Sequence, residues 1–254
     1  MKINSISSVG IIYRKSNPEE VFFEIKDDGL PVKAFRRMLN PIGGNWVGEV
    51  AKSDQNTWDT FKREIREELN LDGVMVSTVE LRLLGYLPQN KFYKTKISNC
   101  IPSDTERKMF GDLKEEMIKD RIPFGDYLIN IPMEYFNKGE LDKKVEDWND
   151  LNSYWLIPLS EKNWGRLVYF QNKFGNLSRE SISTITSLRE IVETRMSFAF
   201  GHDRPIRDFF MIHNAILARK MPILKGIVCS TLCFPRESYG DYLKKYEVVR
   251  KPNV

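Results

Sequence analysis

The pattern of apolar positions between residues 57 and 71 predicts an amphipathic helix. Apolar side chains recur there at spacings of three and four residues, which places them on one face of a helix. They are Trp58, Phe61, Ile65 and Leu69. At about 100° per residue, Glu64, Glu67 and Glu68 fall on an adjacent arc. We therefore expect one face to anchor in a core and the neighbouring face to present carboxylates.

Polar residues mark both ends of this helix. Asn56 or Thr57 can cap its start, because either side chain accepts a hydrogen bond from the first turn. Asn70 stands at the expected end, and asparagine tolerates the left-handed backbone conformation that often terminates a helix. The sequence thus predicts a left-handed residue at position 70.

Other segments alternate in type along the chain. Runs rich in β-branched and aromatic residues predict strands, and they are residues 8–14, 21–25, 81–87, 127–131 and 154–161. Residues 178–198 carry apolar side chains at helical spacing and predict a helix. Strands and helices in this mixture indicate an α+β fold.

Composition narrows the class of protein. No apolar stretch of the 254-residue chain approaches the roughly eighteen residues needed to cross a bilayer. The amino terminus lacks the apolar core of a signal peptide, because polar residues interrupt it at 5–8. Three cysteines are odd in number and unlike a disulfide framework. We expect a cytoplasmic protein that does not contact a membrane.

Positive charge is concentrated in the last part of the chain. Residues 201–254 contain ten basic and five acidic side chains, a balance of +5, whereas the whole chain carries +4. Such a tail either docks on the core or on a second subunit, or it attracts a polyanion such as RNA. We favour docking, because apolar residues between 209 and 217 predict an amphipathic helix there.

The three glutamates of the helix predict a site for a cation. Residues three and four apart are neighbours on a helix, so Glu64 faces both Glu67 and Glu68. Like charges at this spacing destabilise a helix by a few tenths of a kcal/mol per pair. A hard divalent ion that prefers oxygen ligands, Mg²⁺ or Mn²⁺, would offset that repulsion. The alternative is an ordinary solvated helix in which neighbouring arginines balance the glutamates.

A glycine-rich segment lies shortly upstream of the helix. Residues 40–49 contain the pair Gly43-Gly44 and end on Glu49. Glycine lets the backbone approach a ligand closely, and its carbonyl oxygens can themselves bind a cation. Together with Arg63 and the glutamates, this segment resembles the signature of the Nudix hydrolases, G-x5-E-x7-R-E-U-x-E-E-x-G-U, in which U is aliphatic.

Nine positions carry the resemblance, and two features depart from it. The matching residues are Gly43, Glu49, Arg63, Glu64, Ile65, Glu67, Glu68, Leu69 and Leu71. Thirteen residues separate Glu49 from Arg63 instead of seven, so residues 50–56 form an inserted polar loop. Asn70 replaces the second glycine of the signature.

The resemblance implies a fold and a domain division. It implies an αβα sandwich around a mixed β-sheet for residues 1–200, with an insertion at about 103–120 whose charged run 114–120 predicts a solvent-facing helix. It leaves residues 201–254 as a basic C-terminal extension of helix and strand, which docks on the core or on a second subunit.

The resemblance also assigns roles. Glu67 and Glu68 would bind Mg²⁺ or Mn²⁺ together with a carbonyl of Gly43 or Gly44, and Glu64 would be either a further ligand or the base. Arg63 would orient a carboxylate, with Glu49 as its expected partner. An additional acidic residue outside the signature would be Glu146, with Glu134 and Asp147 as alternatives. Apart from the resemblance, the aromatic side chain of Trp46 either stacks on a base or lies in the core.

These roles describe hydrolysis of a pyrophosphate bond in a nucleoside diphosphate linked to another group. Two other functions stay open. One is a Nudix-like module that senses a nucleotide without hydrolysing it, and the other is an RNA-directed protein that removes a 5′ diphosphate or cap. The intact glutamates favour the hydrolase over the sensor, and the basic tail is the feature that points to RNA.

Overall fold

Alternation of apolar and polar residues builds a mixed sheet from both halves of the chain. In the computed structural model, residues 2–26, 29–46, 54–71, 101–136, 147–179, 181–232 and 238–248 are described. The strands are β1 (Lys2–Ile3), β2 (Ser5–Arg14), β3 (Asn17–Ile25), β4 (Leu39–Asn40), β5 (Ile42–Asn45), β6 (Ile122–Pro132), β7 (Asp147–Leu159), β8 (Ile182–Ser187), β9 (Val228–Leu232) and β10 (Glu247–Val248).

Helices flank these strands. They are α1 (Thr57–Glu68), α2 (Asp104–Met117), α3 (Glu161–Phe174), α4 (Leu188–Thr194), α5 (Asp203–Met211), α6 (Ala215–Ala218) and α7 (Tyr239–Lys245). Short 3-10 segments are Lys33–Phe35, Met133–Tyr135 and Ala199–Gly201. No helix in the described part of the chain is long and apolar enough to span a membrane.

The sheet centres on the parallel pair β2 and β7. Its strand order is β4-β3-β2-β7-β6-β9, and β5 and β8 add to β2 and β3 respectively. The pairs other than β2–β7 in this sheet are antiparallel. Residue by residue, Ser5 lies opposite Asp150 and Ser7 opposite Asn152. The register therefore brings the start of the chain beside residues far along the sequence.

Helices cover both faces of the sheet. Because successive strand residues point to opposite faces, Ile12 and Trp155 pack with α1, α2 and α3 in one core cluster. Ile11 and Phe23 pack with α4, α5 and α6 in another. The mixed α and β composition predicted from the sequence is confirmed, and its arrangement is helix layer, sheet, helix layer. Whether the fold is of the Nudix type stays a prediction.

Most of the predicted strands are confirmed, and one predicted helix is wrong. Strands cover residues 8–14, 21–25, 127–131 and 154–159, whereas the strand predicted at 81–87 lies outside the described residues. Residues 178–198 are not one helix, since β8 occupies Ile182–Ser187 and only α4 is helical. The Ile-Ser-Thr-Ile-Thr-Ser sequence of β8 is β-branched at four of six positions and fits a strand between α3 and α4.

The insertion and the tail both pack on the core. Helix α2 begins at a Ser103 capping box and buries Phe110, Leu113 and Met117, so only one face of this helix meets solvent. In the tail, α5 buries Phe209 and Phe210, and β9 pairs with β6 in the sheet. The C-terminal extension thus supplies part of the main sheet and of its apolar cover.

Candidate functional site

Helix α1 is fixed by its cap and by its apolar face. Asn56 caps it, because the side-chain oxygen accepts a hydrogen bond from the backbone N–H of Asp59 at 3.0 Å. All four predicted apolar anchors are buried: Trp58, Phe61, Ile65 and Leu69. The helix ends at Glu68, and Leu69 leaves it in an extended conformation. The left-handed end predicted at Asn70 is therefore wrong, since the chain turns directly into a backbone bond from Asn70 to Leu177.

Two glycines let α1 approach the sheet closely. A Cβ atom added at Gly10 of β2 would lie 2.2 Å from the ring of Phe61. A Cβ atom added at Gly44 of β5 would lie 2.2 Å from the carboxyl carbon of Glu64. Side chains at these two positions would push the helix or its carboxylate away. Gly44 and the Glu64 carboxylate of the acidic helix are therefore close together in space.

The three glutamates differ in their surroundings. Glu64 and Glu68 are each 8 % exposed, whereas the side chain of Glu67 is 56 % exposed. Burying a carboxylate is costly unless it is paired. The acidic arc is thus not an ordinary solvated helix face, because two of its three members have lost most of their contact with water.

Arg63 holds this acidic surface together. Its Nη1 lies 2.6 Å from Oε1 of Glu64 and 3.0 Å from Oε2 of Glu67. Its Nε donates to Oδ2 of Asp54 at 3.0 Å, and its Nη2 donates to the backbone oxygen of Asn45 at 3.2 Å. Burial opposes the charge, but these carboxylates outweigh burial and raise the pKa of Arg63 above its ordinary value.

Asp54 is a site residue that the sequence analysis missed. Its side chain is 1 % exposed and accepts a second hydrogen bond from Oγ1 of Thr60 at 3.0 Å. It lies in the polar loop that lengthens the signature. Its signal was a carboxylate three residues before the start of the helix, within reach of Arg63. Glu49, the partner predicted for Arg63, lies outside the described residues.

The donor set at the helix suits Mg²⁺ or Mn²⁺ in its chemistry, because every candidate ligand is an oxygen. Among the described residues, however, no three His, Cys, Asp or Glu side chains are gathered as a metal site. Arg63 bridges Glu64 and Glu67, and a bound cation would compete with that guanidinium for the same oxygens. Glu64, Glu67 and Glu68 are the side chains that could hold the ion.

A cavity of about 360 Å³ opens on the other face of the sheet. Ser5, Ser7 and Val9 of β2 line it, and their side chains point away from α1. Gly43 and Gly44 also line it. The backbone of Gly44 thus touches the cavity on one side and the Glu64 carboxylate on the other.

Polar groups with shifted pKa values lie in this cavity. Burial raises the pKa of Asp150, against the opposing effect of hydrogen bonds from Ser5, Asn152 and Ser7. Burial, aided by the charge of Lys26, lowers the pKa of His202 to about 3. The His202 ring is therefore neutral at pH 7, and its Nδ1 is hydrogen-bonded to the hydroxyl of Tyr154.

The other predicted substrate contacts are placed as follows. Trp46 packs against a small apolar cluster that contains Ile3, Leu151 and Tyr242, and it does not line the cavity. Glu146 lies outside the described residues. No single segment indicated the cavity itself, because its walls come from strands that are remote in the chain.

Comparison with known proteins adds nothing to this geometry. No protein-family model matches the chain, and no curated protein matches it. The assignment of a function therefore depends on the site alone.

Proposed function

We propose that the protein is a metal-dependent hydrolase that cleaves a pyrophosphate bond in a nucleoside diphosphate linked to another group. One observation carries the proposal. The Glu64 carboxylate lies against the bare backbone of Gly44, and the same glycine strand borders a cavity of about 360 Å³. A diphosphate crossing the edge of this strand would reach the acidic helix while its organic part enters the cavity.

The chemistry asks for charge neutralisation and an activated water. The oxygens of a pyrophosphate repel a nucleophile, and the leaving group gains negative charge as the bond breaks. A bound Mg²⁺ or Mn²⁺ supplies charge neutralisation and a more acidic water. Glu67 and Glu68 would hold the ion, with a carbonyl of Gly43 or Gly44 as a further ligand. Glu64 would be a ligand or the base that takes the proton of the water.

Arg63 has a positioning role in this proposal. Its guanidinium contacts Glu64, Glu67 and the carbonyl of Asn45, so it fixes two carboxylates relative to the glycine strand. A planar fork of donors is suited to that task. Asp54 in turn fixes the guanidinium.

A substrate panel tests the proposal. Nucleoside triphosphates, ADP-ribose, dinucleoside polyphosphates, NADH, sugar nucleotides and capped RNA would each be incubated with Mg²⁺ and with Mn²⁺, and products separated by chromatography. We expect cleavage of at least one diphosphate-linked nucleoside, and its loss with EDTA. If none of these compounds is cleaved with either ion, the proposed hydrolase function is wrong.

A second candidate is a module that binds a nucleotide without hydrolysing it. The observation that favours it is the pairing of Arg63 with both Glu64 and Glu67, which already gives these two carboxylates a cationic partner in the place of a metal ion. The same panel separates the two functions, because the module would bind a nucleotide in calorimetry and release no product.

Gly44→Ala tests the contact between strand and helix. The added Cβ would lie 2.2 Å from the Glu64 carboxyl carbon, so this flexible carboxylate must move. We expect a loss of roughly tenfold or more in turnover, equivalent to about 1.4 kcal/mol, with little change in the thermal midpoint. Gly165→Ala on α3 is the control, because nothing lies within 4 Å of its added Cβ. Equal activity of the two variants would show that the Gly44–Glu64 contact is irrelevant to turnover.

A further inference from the structure

The cavity beside the glycine strand contains polar side chains that are buried without partners. Asn152 is 0 % exposed, and its amide lies beside the Asp150 carboxyl, whose pKa it lowers, but neither of its polar atoms makes a hydrogen bond of ordinary geometry among the described residues. Asn40 is 5 % exposed, and its Oδ1 likewise has none. Both line the cavity. Buried polar groups in folded proteins are nearly always satisfied, so two incompletely paired amides that line one cavity favour a polar occupant.

Asp150 extends this polar floor towards the glycine strand. Its Oδ1 accepts from Oγ of Ser5 at 2.5 Å, and it lies 3.1 Å from Oγ of Ser7. Ser7 also lies 2.7 Å from Oδ1 of Asn45. A hydroxyl has one proton, so Ser7 can donate to Asn45 or to Asp150 but not to both. Burial raises the pKa of Asp150. Its carboxyl group, close to both serines, is a second polar group that lines the cavity.

Aromatic side chains form the walls. Phe136, Trp148 and Phe200 line the cavity, and the Phe136 and Trp148 ring centroids lie 5.9 Å apart. None of the three is fully buried. Flat apolar walls over a floor of amide and carboxyl groups match a flat heterocycle with hydrogen-bonding groups on its edge. A volume of about 360 Å³ lies in the range of small-molecule sites.

We propose that this cavity binds the nucleobase of the substrate, with the Asn152 amide reading its polar edge and Asp150 as the second reading group. This inference rests on the proposed function in one respect, namely that the diphosphate end of the substrate lies at the acidic helix. An amide offers one acceptor and one pair of donors, which is the pattern by which asparagine binds a base edge in two places. A base that cannot satisfy the amide would leave it buried and unpaired, so discrimination follows.

Binding of four nucleoside 5′-monophosphates to the full chain tests the proposal without any catalysis. AMP, GMP, CMP and UMP would be titrated in a calorimeter with EDTA present, beside ribose 5-phosphate, which lacks a base. We expect one nucleotide to bind at least tenfold more tightly than ribose 5-phosphate. Four nucleotides no tighter than ribose 5-phosphate would overturn the proposal.

Asn152→Leu removes the reading group at similar size. We expect the preferred nucleotide to bind at least tenfold more weakly, with binding of ribose 5-phosphate unchanged. Asn149→Ala on the same strand is the control, since Asn149 does not line the cavity. If Asn152→Leu does not fold, Asn152→Ser takes its place with the same expectation. Unchanged affinity in the folded variant would refute the role of Asn152.

The two proposals fail separately. Cleavage of the substrate panel without base discrimination would leave the hydrolase and remove the base pocket. Tight, Asn152-dependent binding of one monophosphate without cleavage of any compound would leave the base pocket and remove the hydrolase.

Discussion

Replacing Glu68 with glutamine is expected to lower turnover of the best substrate about 1,000-fold at saturating Mg²⁺. Glutamine keeps the shape of the side chain and removes its charge. A metal ion contributes several kcal/mol to a phosphoryl transition state, and each 1.36 kcal/mol is a factor of ten in rate. Loss of one charged ligand at a buried position therefore costs on the order of three powers of ten. Glu67→Gln is expected to act in the same direction.

Stability provides the check on this result. Because Glu68 is buried and its replacement is nearly isosteric, we expect the free energy of unfolding in urea to change by less than about 1 kcal/mol. Glu115→Gln is the matched control, since Glu115 is an exposed glutamate of α2 that pairs with Arg66. Unchanged turnover in both Glu67→Gln and Glu68→Gln would dismiss the proposed site even in an active protein.

The helix and the strands near the motif were predictable because their signals are local. Apolar spacing of three and four residues is sufficient to define the buried face of α1, and Asn56 is a cap that needs only its own first turn. The end of the same helix was not predictable. Leu69 leaves the helix because Glu68 and Asn70 bond to the backbone around Leu177, more than a hundred residues away.

The helix predicted for residues 178–198 was wrong for a related reason. Its isoleucines occur at spacings that suit a helix, but Ile182 and Ile185 both lie in β8, which pairs along its whole length with β3. In a short β-branched segment, apolar residues at helical spacing do not outweigh the stabilisation from pairing with a neighbouring strand.

The cavity could not be predicted from any single segment. Its floor joins Ser7 of β2 with Asp150 and Asn152 of β7, and only the parallel register places Ser7 opposite Asn152. Asp54 is similar, because it lies in a loop whose length departs from the signature. The acidic helix and the glycine pair could therefore be predicted from the sequence. Asp54 and the neighbouring cavity became evident only from the three-dimensional fold.

Arg63→Met is expected to reduce the free energy of unfolding by about 3 kcal/mol, the usual loss when one member of a buried ion pair is removed. Methionine leaves the Asp54 side chain, which is 1 % exposed, with the Thr60 hydroxyl as its partner but without the guanidinium. It also leaves Glu64 and Glu67 without the cation between them. Arg66→Met, three residues along, breaks an exposed pair with Glu115 and should cost less than about 1 kcal/mol.

Urea unfolding of both variants measures the difference, and Mn²⁺ adds a second measurement. If the glutamates bind a divalent cation, removing Arg63 frees their oxygens for it. A ligand that binds only the folded state stabilises that state. We therefore expect Mn²⁺ to raise the thermal midpoint of Arg63→Met more than that of the parent chain. Equal losses in the two methionine variants would show that Arg63 is an ordinary surface residue. An identical response to Mn²⁺ in parent and variant would argue that the carboxylates beside Arg63 do not bind the ion.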